Sequence, residues 1–139
     1  MSLEVHLRIA GALLLLLAAV HPFFPKRLGW RDDLAKLTLL NRQIFLVHVG
    51  FIVLTLVLFG ALALFFAGDL VAPSRLATAV LAGLTLFWGL RLLTQQLIYD
   101  RSHWRGNRRN TILHILASLL WTYLTIVFGW GWWRQVAGG

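Results

Sequence analysis

Arg91 stands inside the third of four apolar segments, and no carboxylate falls within the membrane core of any of them. A cation toward mid-bilayer costs at least about 2.5–3.5 kcal/mol, so such a residue is paired, snorkels to the interface or serves a function. Gln95 follows it by four residues and Tyr99 by eight, while His48 and His114 lie at matching depths on two other segments. Two imidazoles from different helices can ligate a haem iron axially. They can also supply two ligands of a metal site, with His21 or Asp100 as a third. Arg91 then suits a haem propionate or another anion, because its planar fork matches carboxylate and phosphate. Gln95, Tyr99 and a histidine suit quinone carbonyls instead, as hydrogen-bonding groups in an apolar slot. The cofactor expected here is therefore haem b, a metal ion or a quinone, in an electron-transfer role.

Each of these residues also has a plainer reading. A membrane histidine bonds a neighbouring helix more often than it binds metal. Arg91 can snorkel, or bond carbonyls and Gln95. Tyr99 and Trp104 sit at the depth of an aromatic belt. What the plainer readings leave unexplained is the confinement of many polar groups to one leaflet. Along segment three, Trp88, Arg91, Gln95 and Tyr99 recur at helical spacing. Asn41, Phe45, His48, Ile52 and Thr55 form a second stripe, and His114, Ser118, Trp121 and Thr125 a third. Lipid satisfies none of these groups, so the three stripes are expected to face one another and form a pocket near the cytoplasmic side.

The elements that must position them are membrane helices. Of 139 residues, 59% are hydrophobic and only five are acidic, too little charge to cover a soluble domain. A span takes about 20 apolar residues. Four fit, at about 3–20, 43–66, 76–96 and 111–130, giving an all-α integral membrane protein, a four-transmembrane-helix bundle in a single domain over 1–139. The first run also has the length of a cleaved signal peptide, but cleavage would leave the basic stretch after it outside, so a retained helix is favoured. The first connection, 21–42, carries Lys26, Arg27, Arg31, Lys36 and Arg42; the third, 97–110, carries Arg101, Arg105, Arg108 and Arg109. The positive-inside rule places both loops in the cytoplasm and both termini outside, in a bacterial-type inner membrane.

Within the first connection two prolines, Pro22 and Pro25, block helix continuation. Asp32 or Asp33 is then expected to cap a short helix whose Trp30, Leu34 and Leu37 share a face. That piece should lie in the interface before the second span, with or without a break.

The net charge of +8 reflects these loops and anionic lipid rather than nucleic acid. Absence of cysteine excludes disulfides, thiolate metal sites and iron–sulfur ligation. There is no phosphate-cradling glycine loop, no HExxH pair and no intramembrane carboxylate relay. The leading expectation is an intramembrane cofactor or quinone site. Two others stand beside it. One is a non-catalytic accessory or assembly subunit, its stripes packed on a membrane-protein partner. The other is a small enzyme acting on an anionic lipid or isoprenoid head group, with His48 or His114 as general acid or base.

Overall fold

The computed structural model describes residues 2–98 and 108–138, and every regular element among them is helical. Four of the helices are long and apolar enough to cross a membrane. Helix α1 covers Leu3–Val20, with Glu4 complementing the positive end of its dipole. The expected stop at the prolines is corrected: the chain stays helical through Pro22 and Pro25, as a 3-10 turn, His21–Phe23, and a short α2, Phe24–Arg27, because each proline falls in the first turn of its segment, where the missing N–H costs no helix bond.

Gly29 reverses the chain with φ 67°, a left-handed conformation in which a side chain is strained. Helix α3, Trp30–Ala35, starts from it. The expected aspartate cap is thus corrected: Gly29 takes the cap position, and Asp32 and Asp33 fall in the first turn, where their charge still suits the dipole. The helix stops before the second span. Thr38 turns extended, at ψ 154°, and its Oγ1 accepts from the Asn41 backbone N–H to start α4, Leu39–Phe65.

The chain continues through the short α5, Ala67–Val71, to α6, Arg75–Leu97, whose cap is the Ser74 hydroxyl on Ala77 N–H at 2.9 Å. Last comes α7, Arg108–Ala137. Helices α4 and α7 outrun the apolar runs that mark them, because no proline stops the turns flanking those runs.

The chain forms two compact units, Arg8–Phe66 and the first turns of α1 together with the chain from Ala67 onward. Within the first, α1 meets α4 glycine to glycine. A Cβ on Gly11 would lie 2.5 Å from Leu64 N and 2.7 Å from Gly60 O, so backbone touches backbone there. Arg8 reaches from α1 to the Leu64 carbonyl at 3.1 Å, in the last turn of α4, where carbonyls lack an intrahelical partner.

In the second unit α6 and α7 run antiparallel and make most of the helix contact. Gln135 ties α5 and the following turn to α7. Its Nε2 donates to Leu70 O and Ala72 O, each at 2.9 Å, and its Oε1 accepts from Ser74 N–H at 3.2 Å. Midway along α7, Tyr123 Oη and His6 Nδ1 of α1 lie 3.1 Å apart.

Candidate functional site

The polar stripes of α6 and α7 meet. Trp88, Arg91 and Gln95 of α6 lie against Trp121 and His114 of α7, and the pairings 88 with 121 and 95 with 114 are those of an antiparallel register. Arg91 and His114 each sit six residues from the near end of their helix, about 9 Å in, so their depths match.

Arg91 NH1 donates to Gln95 Oε1 at 3.3 Å, and Gln95 Nε2 lies 2.9 Å from His114 Nδ1. Gln95 is buried, at 8% exposure, and it is the junction of the relay. Beside it, Gln96 Nε2 donates to Ser118 Oγ at 2.8 Å, so adjacent amides on α6 bridge to α7.

The direction of the relay follows from the groups themselves. A guanidinium only donates, so it faces the amide oxygen and leaves the Gln95 NH2 toward the imidazole. An NH2 also donates, so His114 Nδ1 must accept. The neutral ring then carries its proton on Nε2. His114 is therefore set as a donor at Nε2.

His48 and His21 are set the opposite way. His48 Nδ1 is 2.8 Å from Ile44 O and His21 Nδ1 is 3.0 Å from Leu17 O. A carbonyl only accepts, so these rings carry a proton on Nδ1, and in the neutral ring the lone pair is at Nε2. That is the arrangement a metal-binding histidine adopts. Both belong to the Arg8–Phe66 unit, whereas Arg91, Gln95 and His114 belong to the other. Two polar members of the α4 stripe bond back to their own helix: His48 as above, and Thr55 Oγ1 to Phe51 O at 2.9 Å. Tyr99 and Asp100 lie outside the described residues. Among the described residues no three His, Asp or Glu side chains gather as a metal site.

Spacing had placed Trp88 and Trp121 on the stripes without giving them a role. Their rings stack at 5.2 Å with planes 12° apart, and the Arg91 guanidinium carbon stands 5.0 Å from the Trp121 centroid. The cation thus rests on a π face rather than in hydrocarbon. Trp88 and Trp121 are 2% and 7% exposed, and neither indole N–H has an acceptor. An unmet buried donor costs about 1–3 kcal/mol. Together with Arg91 and His114 Nε2–H, the cluster is rich in donors.

No family model matches this chain, and neither the curated proteins nor the solved structures contain a match to it.

Proposed function

We propose that this multi-pass membrane protein binds an acceptor-bearing amphiphile of the quinone type at the Arg91–Gln95–His114 relay. The observation that carries the reading is the pair of buried indole N–H donors of Trp88 and Trp121, which have no acceptor and stack beside that relay. A carbonyl oxygen is what such donors recognise. The direction of the relay, which puts the His114 proton on Nε2, suits the same ligand chemistry. A carbonyl is preferred over a phosphate because the other donors are neutral and the Arg91 charge is already engaged by Gln95 and Trp121. Quinones bring two-electron, two-proton carrier chemistry to whatever complex holds them. The chain's own part is to bind and orient the carbonyl. Ligation of haem or a metal by His48 and His114 would need a lone pair at His114 Nε2, so the relay would have to run in reverse.

The test is titration of the purified protein in mild detergent with decylubiquinone, followed by tryptophan quenching, with a phosphatidic acid titration in parallel. Saturable quenching by the quinone, weakened at least tenfold in Gln95→Glu, is the expected result, since a carboxylate turns the relay around. Saturation by phosphatidic acid alone would assign the site to a lipid phosphate. A haem spectrum in the purified protein, lost in His114→Ala, would overturn the reading.

A further inference from the structure

Helix α3 and the start of α4 enclose an open groove of about 300 Å³, lined by Trp30, Asp33, Leu34, Leu37 and Phe45. We propose that this groove seats one acyl chain of an anionic phospholipid, with the lipid phosphate held at its rim by Lys36 and Arg31. This is independent of the quinone reading and lies in the other compact unit.

The walls are apolar and set by the fold. Trp30 meets Phe45 edge-on, with centroids 5.0 Å apart and planes at 81°. The break at Thr38 holds α3 apart from α4, and the helix restart at Leu39 fixes where Phe45 falls. Phe45 is six residues into a membrane-spanning helix, about 9 Å from its start, so the groove lies where head groups give way to acyl chains. Its volume is at the lower end of the ~300–1,000 Å³ of small-molecule pockets, which fits part of a chain rather than a whole lipid.

Charge selects the head group. Asp33 is the one polar side chain in the lining, and Lys36 Nζ neutralises it at 3.0 Å, which also places an ammonium at the rim. Lys36 is 74% exposed and Arg31 follows Trp30 directly on α3, so both cations remain open to a phosphate. Lys26, Arg27 and Arg42 extend the positive field across the same stretch, against Asp32 and Asp33 alone. Each such cation near a membrane surface contributes about 1 kcal/mol toward anionic lipid. A cationic or neutral amphiphile has no comparable partner here.

The test is native mass spectrometry of the full chain released from nanodiscs holding equal phosphatidylglycerol and phosphatidylcholine. One phosphatidylglycerol retained per chain, in excess over phosphatidylcholine, is expected. Arg31→Gln with Lys36→Gln should lower that retention about tenfold or more while phosphatidylcholine is unchanged. Both sites are exposed, so this pair leaves the fold intact. Leu34→Asn with Leu37→Asn should release both lipids, with helix content checked by circular dichroism. Retention of the two lipids in proportion to their supply, or retention unaffected by the charge pair, would overturn the proposal. So would displacement of the lipid by millimolar inorganic phosphate, which would mark an anion site with no seat for a chain.

Discussion

At the scale of single residues, what decides the chemistry of the α6–α7 site is the orientation of one amide. Gln95 takes a hydrogen bond from Arg91 and gives one to His114, and the imidazole has no choice of tautomer once the amide is oriented. Solid-state or solution 15N NMR of histidine-labelled protein reads this directly. His114 should show a protonated Nε2 and an unprotonated Nδ1, with His48 and His21 showing the reverse. In Gln95→Glu the carboxylate accepts from both neighbours, so the His114 pattern should invert. An unchanged His114 pattern in that variant would mean that Gln95 does not set the tautomer. Helical spacing already marks Arg91 and Gln95 as neighbours and puts His114 at the same depth. The direction of the bonds between them is a property of side-chain contact, which spacing does not carry.

At the scale of elements, the contacts between helices rest on small residues and on amides. Gly11 is the position where α1 and α4 touch through their backbones, and any side chain there must push Leu64 and Gly60 away. Gly11→Ala should lower stability by about 1–3 kcal/mol, the cost of overpacking a site with no flexible neighbour. Gly50 lies on the same α4 with open space around its Cβ position. Gly50→Ala should instead stabilise by about 0.5–1 kcal/mol, as expected when a helical glycine gains a side chain without a clash. Thermal unfolding in detergent, followed by circular dichroism, checks the pair. Equal behaviour of the two variants would mean that the close crossing is not maintained. Glycine is legible in a sequence, but Gly11 and Gly50 look alike there. Only the crossing separates them.

At the scale of the whole molecule, four apolar helices and two basic connections imply an orientation in the bilayer. The chain has no cysteine, so single substitutions report topology cleanly. Asp69→Cys, between α4 and α6, should react with an impermeant maleimide on intact cells. Lys36→Cys and Arg108→Cys should react only after the membrane is opened. The reverse pattern would place the basic loops outside and the Arg91 site in the outer leaflet. It would also move the groove beside α3 away from the cytoplasmic surface.

The sequence alone determined the four long apolar helices and the faces on which Arg91, Gln95, His114 and Trp121 lie. Each follows from composition and helical period: apolar runs have the length of a span, and residues three and four apart share a face. The tertiary structure decided which partner satisfies each polar group. On α4 the His48 ring bonds its own Ile44 carbonyl and Thr55 its own Phe51 carbonyl, so these two groups are met locally. On α6 and α7 the acceptors and donors come from the facing helix, so Gln95 and Gln96 bridge to His114 and Ser118. Periodicity names the face on which a group lies. Whether the group bonds its own backbone or a neighbour depends on what packs within about 3 Å of it, and that is set by the fold.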